Sequence, residues 1–174
     1  MILIGHDPGV VNYGFCVLET SRGKIKVLAS GQLLLPQYDS KKMPLFVRLY
    51  QSQLRAMHPS AKAQHYVERF QPRGFRSNLS EPVNAIIGTI CISSGSVELF
   101  LPATWKNSFN KIAPLKLAYK LAHKEYKISP HRLDAFLIAW YGYHTSKGVA
   151  KPFEVFASKR RFRDYLEELA RSNP

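Results

Sequence analysis

The chain is 174 residues long, 45% of them hydrophobic, and carries 25 Lys and Arg against 12 Asp and Glu, a formal charge of +13. That length suits one domain with a sizeable core, and the apolar share excludes disorder as the default state. The positive surplus argues for a polyanionic partner, most often nucleic acid. The longest apolar stretch, residues 135–141, is far too short to span a bilayer. The N-terminus lacks the basic flank and the length of a signal peptide. Cys16 and Cys91 sit among apolar neighbours and form no closely spaced pair. The expectation is an intracellular, cytoplasmic protein with both cysteines in its core, no disulfide framework and no zinc motif.

Residues 2–4 predict a buried central strand. Residues 15–19 and 24–35 predict two more, joined as a hairpin around Ser21, Arg22 and Gly23. Residues 44–57 carry a helical pattern: Leu45, Leu49 and Leu54 are apolar, while Arg48, Gln51 and Arg55 are polar. Residues 65–70 alternate like a strand, with Tyr66, Glu68 and Phe70 on one side and Val67 on the other. A basic loop follows at 72–76, then a helix over about 81–93 that starts from Ser80 and Pro82. Residues 97–101 predict a short strand between Gly95 and Pro102. Two helices are expected near 114–125 and 130–144, and a last one over about 158–170. This order indicates an α/β domain with a mixed sheet, the hairpin first and helices on both faces. One domain is expected across residues 1–174, with the sequence after about 147 as a helical extension.

Three acids stand out. Asp7 ends the first strand between Gly5 and Gly9, glycines that permit unusual backbone angles and let a ligand come close. Glu68 interrupts an aromatic face between Tyr66 and Phe70. Asp134 lies in a helix that is apolar nearly all round, where an unpaired carboxylate is expensive to bury. His131 is one turn earlier on the same face. Singly, each acid has an ordinary reading as turn residue, rim residue or salt-bridge partner. Together they have the logic of a Mg²⁺ site, which takes hard oxygen ligands from separate elements. Two such ions can activate a water and stabilise the leaving oxygen of a phosphodiester.

The stretches IGHDPGVVNYGFCVLE (4–19), HYVERF (65–70) and HRLDAFLIAWYGYH (131–144) resemble the three acidic motifs of RuvC-like Holliday junction resolvases, members of the ribonuclease H-like (retroviral integrase-like) superfamily. LFLPATWKNSF (99–109) resembles that family's segment of a strand followed by a Lys-bearing turn. The resemblance covers roughly residues 1–146. It implies a mixed five-stranded sheet, phosphodiester hydrolysis dependent on Mg²⁺ or Mn²⁺, and a homodimer that cuts four-way DNA junctions symmetrically. By motif position, Asp7, Glu68 and Asp134 are the implied metal carboxylates. His131 stands where many members carry a further Asp and some carry His, so it joins the catalytic and metal set.

Phosphate binding needs cations around the acids. Lys106, Lys111 and Lys116 lie between the short strand and the Asp134 helix, and the resemblance places basic positions of the family near Lys106 and Lys116. Arg73 and Arg76 flank Phe75, an apolar wedge between cations that suits insertion into a junction, with Phe70 as second candidate. The apolar helix segment 83–92 has small residues at Ala85 and Gly88. With Ile87 and Ile90 it is the expected self-complementary interface, packing on the sheet being the alternative. Two other functions stay open: a ribonuclease H-like nuclease acting on RNA or RNA–DNA hybrids, and a non-catalytic DNA-binding module.

Overall fold

The computed structural model describes residues 1–34, 41, 44–45, 47–48, 51–52, 62–70, 80–156 and 159–172. Most of the helix expected over 44–57, and the whole basic loop with Arg73, Phe75 and Arg76, lie outside the described residues. In chain order the elements are β1 (Ile2–Asp7), β2 (Asn12–Ser21), β3 (Lys24–Leu34), β4 (Gln64–Glu68), α1 (Ser80–Ser93), β5 (Ser96–Phe100), α2 (Pro102–Asn110), α3 (Ala113–Tyr126), α4 (Pro130–Ser146), a 3-10 turn (Glu154–Phe156) and α5 (Lys159–Arg171).

The five strands form one sheet in the order β3-β2-β1-β4-β5. The pairs β1–β2 and β2–β3 are antiparallel, whereas β1–β4 and β4–β5 are parallel. The β2–β3 hairpin turns at Arg22 and Gly23, both with positive φ (49° and 75°), a twist that matches the flanking strands. Parallel β4 and β5 cannot be joined by a tight turn, and α1 makes the crossover.

Period-two alternation sends each strand's side chains to two cores. On one face Ile4, Tyr13, Phe15, Val17 and Val67 pack with Val83, Ile86, Ile87 and Ile90 of α1. On the other, Leu3, Cys16, Leu18 and Tyr66 pack with the length of α4. That helix is buried continuously from Arg132 to Trp140. It lies against the strand backbones: a Cβ added at Gly5 would sit 1.9 Å from the Ala135 carbonyl oxygen, and one at Gly14 would sit 2.1 Å from that of His131. The room left by Gly5 is therefore taken by α4, and that at Gly9 by the Asn12 carbonyl, rather than by a ligand.

Helix α5 belongs to the same packing. Phe162, Leu166 and Leu169 are buried in the α4-side core. Its C-terminal end also covers the outer edge of β3, where an unpaired strand would invite association. The Val27 N–H donates to Glu168 Oε2 (3.0 Å) and the Ser30 N–H to the Ser172 carbonyl (3.1 Å). Arg132, in the first turn of α4, is buried and reaches across to this seam. Its Nη2 donates to Ser30 Oγ (2.8 Å) and to the Leu169 carbonyl (2.5 Å). A buried guanidinium thus ties α4, β3 and α5 together.

Three expectations are corrected. Helix α2 occupies residues expected to form a turn; Pro102 starts it, but nine residues with only Trp105 and Phe109 buried give a faint period. Cys91 is exposed, because it falls on the outer side of α1, while Cys16 is fully buried. Strand β4 ends at Glu68, leaving Phe70 beyond it, half-buried against the α1-side core. Among the described residues no helix is long and apolar enough to cross a membrane.

Ser30→Ala should destabilise the fold by about 1.5–3 kcal/mol, the range for a hydrogen bond to a charged group. It removes a buried acceptor of Arg132, and urea unfolding measures the change. A variant as stable as wild type would show that Arg132 does not need the seam.

Candidate metal centre

Strands β1 and β4 are parallel neighbours with His6 opposite Val67, so Asp7 and Glu68 finish side by side at their C-terminal ends. Open α/β sheets place ligands at such strand ends. Helix α4 supplies the third acid. Ser129 caps it, accepting from the Arg132 N–H at 3.3 Å, and Pro130 occupies its first turn. One ligand atom from each of Asp7, Glu68 and Asp134 lies within 4.8 Å of the other two. Among the described residues this is the group of acids, cysteines and histidines that fits a metal ion.

Each carboxylate has its own donor. His131 Nδ1 is 2.7 Å from Asp7 Oδ2. Trp105 Nε1 donates to Glu68 Oε2 at 2.9 Å, and the Tyr119 hydroxyl donates to Asp134 Oδ1 at 2.6 Å. The Lys106 ammonium bridges two of them, 3.3 Å from Glu68 Oε2 and 3.1 Å from Asp134 Oδ2. It also lies 4.9 Å from the centre of the Trp105 ring.

The electrostatics follow from crowding. Burial, with Asp7 and Asp134 close by, pushes the Glu68 carboxyl up to about 7 against the pull of Lys106. Burial also raises Asp134, again opposed by Lys106. Burial lowers the Lys106 ammonium, but Asp134 and Glu68 outweigh it and the net direction is up. The hydrogen bond to Asp7 raises His131 and favours its charged form. Like-charged carboxylates at this spacing resist joint ionisation, and a divalent cation reverses that. The donor set is all hard oxygen and fits Mg²⁺ or a close substitute.

The reverse face of the same strand ends carries a buried pair of imidazoles. His6 Nε2 lies 2.9 Å from His65 Nδ1, their rings stack at 5.1 Å, and His6 Nδ1 pairs with the Tyr13 hydroxyl. Burial, then His65, holds His6 well below the ordinary histidine range, so it stays neutral.

The structure thus brings together Asp7, Glu68, Asp134, His131 and Lys106. Lys111 and Lys116 are exposed at the end of α2 and in the first turn of α3. Ile87 and Ile90 are buried against the sheet, whereas Ala85 and Gly88 are half-buried. Trp105 and Tyr119 were not anticipated. Trp105 sits in the unexpected helix, and Tyr119 shares a helical face with Leu115, Ala122 and Tyr126, a spacing indistinguishable from core.

The sheet order, the helix on each face and acids at the ends of β1, β4 and on α4 define a ribonuclease H-like fold. No family model matches the chain, and no curated protein matches it by sequence. Among solved structures it is similar to RuvC of Thermus thermophilus in complex with a Holliday junction substrate, with a TM-score of 0.63 at 19% identity over 87% of this chain and 99% of that one. A second T. thermophilus RuvC structure gives 0.61 at 21%, over 87% and 99%. The yeast mitochondrial Holliday junction resolvase gives 0.59 at 14%, over 95% of this chain and 83% of that one. The expected fold is the observed one.

The Glu68 shift carries a sign. Without metal, the folded state keeps the Glu68 proton up to about pH 7, while the unfolded chain releases it near its ordinary value of 4.5. Stability therefore falls as pH rises through that window. Glu68→Gln, which still offers Trp105 an acceptor, should melt higher than wild type at pH 8 in EDTA and lose that advantage at pH 4.5. Equal differences in thermal midpoint at both pH values would contradict the shift.

Proposed function

We propose that this chain is a structure-specific endonuclease that resolves four-way DNA junctions, or other branched DNA, by paired phosphodiester hydrolysis dependent on Mg²⁺ or Mn²⁺. The observation that carries this reading is the carboxylate cluster, 4.8 Å or less between ligand atoms, at the strand ends of a RuvC-like fold in a chain of charge +13. A binding module gains nothing from three acids gathered where phosphates would lie. The likeness to RuvC bound to a Holliday junction supports branched DNA over RNA–DNA hybrids.

Asp7, Glu68 and Asp134 would hold the metal. When bound, divalent ions supply an activated water and stabilise charge at the leaving oxygen. The chain's own side chains position the substrate around that point. Lys106, once its carboxylates are otherwise neutralised, has an ammonium free to donate to a phosphate oxygen. Lys111 and Lys116 take flanking phosphates, and Arg73, Phe75 and Arg76 are assigned to the junction centre. His131, 2.7 Å from Asp7, stays the fourth site residue, joining the metal ligands or orienting a scissile-phosphate oxygen.

Asp7→Asn or Asp134→Asn should slow cleavage of an end-labelled four-way junction by more than roughly 100-fold, beyond the loss expected from an outer partner. Junction binding in a gel shift should hold or tighten, since a negative charge leaves the phosphate side. EDTA should do the same to wild type. Cleavage indifferent to EDTA and to both substitutions would end the metal reading, and nicks not paired on opposing strands would end the junction reading.

A symmetric cut needs two sites, and we assign the dimer contact to the outer side of α1. Asn84 and Ile92 are exposed there, Ile92 at 85%, beside the half-buried Ala85 and Gly88. Ile87 and Ile90 serve the fold beneath it, so charges placed there test folding rather than assembly. Among the described residues nothing lies within 4 Å of a Cβ built at Gly88, so Gly88→Arg is expected to spare the monomer fold. Light scattering should show wild type as a dimer and Gly88→Arg as a folded monomer. A Gly88→Arg dimer would move the interface elsewhere.

A further inference from the structure

We propose that Trp105 and Tyr119 are positioning residues of the carboxylate centre, each fixing one oxygen of an acid so that the rest of the carboxylate faces the shared point. The inference rests on the metal-site reading above and assigns a role to two side chains outside it.

Each donor holds one oxygen of its acid. Asp134 gives Oδ1 to the Tyr119 hydroxyl and Oδ2 to the Lys106 ammonium, the cation lodged among the acids. Glu68 accepts the Trp105 indole at Oε2, and the Lys106 ammonium straddles both its oxygens, 3.3 Å from Oε2 and 3.4 Å from Oε1. Glu68 ends a strand, and its terminal torsion is broad and soft unless a partner holds it. Trp105 is nearly fully buried by the packing of α2, and Tyr119 is held on α3 with its ring edge-on to Phe109 at 5.9 Å. The two donors thus come from rigid, packed elements, as an accurate site needs.

Their chemistry suits the task. An indole N–H donates only, and a phenol donates without carrying charge. They therefore orient two carboxylates while leaving the negative charge available to a cation, which a second lysine would not. Trp105, Lys106, Phe109, Asn110, Tyr119 and Asp134 line one small cavity of about 120 Å³, so both donors sit on one flank of Asp134. The competing account makes Glu68 merely the acceptor that a buried indole requires. On that account, removing the indole N–H leaves metal binding untouched.

Calorimetric titration of Mn²⁺ into the metal-free, DNA-free full chain separates the two. Trp105→Phe and Tyr119→Phe keep the rings and delete the donors; each should weaken Mn²⁺ binding by roughly 10–100-fold, the usual effect of losing an outer-shell partner. Trp140→Phe is the control. It also deletes a buried indole bond, to the Pro152 carbonyl, and should bind Mn²⁺ as wild type does. Circular dichroism melts report folding separately, and if Trp105→Phe melts too low to titrate, Tyr119→Phe decides, since it deletes a single oxygen. Unchanged affinity in the folded variants, or equal weakening in Trp140→Phe, overturns the proposal. Wild type that takes up no Mn²⁺ at millimolar concentration overturns the metal reading itself, a different result.

Discussion

The contact on which the structure turns is the seating of α4 directly on the backbones of β1 and β2. Gly5 and Gly14 lack the side chains that would hold the helix off, and the Ala135 and His131 carbonyls occupy that space. With no side chain in the way, the helix rests on the strand backbones, and the acid on the helix meets the acids on the strands. Close packing then transmits position without slack. Arg132 fixes the same end of the helix from its other side, through Ser30 and the Leu169 carbonyl. The C-terminal helix, which carries no candidate ligand, is in this way part of what holds Asp134.

Around that contact the charges are arranged against their own preference. A chain with a large cationic surplus gathers three carboxylates into one spot, Asp134 buried and Asp7 and Glu68 half-buried. The Lys106 ammonium and the His131 ring, 2.7 Å from Asp7, hold the cluster together. Neutral donors do the remaining holding. Burial raises both Glu68 and Asp134, and the Lys106 ammonium sits between them. A divalent ion held by the three acids would relieve the repulsion between them.

Much of this was legible in the sequence because the signals were local. Asp134 stood out as the acid in an apolar helix, and Asp7 as the acid at a strand's end; the period of the chain put His131 beside Asp134. What could not be read depended on partners far along the chain. Nothing at Gly5 announces that Ala135 will rest on it, so in the sequence the glycine reads as room for a ligand. Ile87 and Ile90 were assigned to an interface because a helix apolar on most sides does not say which side meets the sheet. Cys91 was placed inside for the same reason. Trp105 was hidden in a nine-residue helix whose period is too short to detect, and Tyr119 looked like any core aromatic.

The imidazole pair behind the site has a consequence for how the chain can vary in length. His6 and Asp7 are consecutive, and the alternation of β1 sends the neutral ring into the interior and the acid to the open face. One residue added or lost between Ile2 and Asp7 would exchange them, placing the carboxylate among Tyr13 and His65 and the imidazole at the open rim of the acid cluster. The same argument holds for His65 and Glu68 across β4. These two strands therefore tolerate substitution far better than insertion. Homologous chains are expected to differ in length at the Arg22–Gly23 turn or beyond Ser146, and to keep the count from Ile2 to Asp7 unaltered.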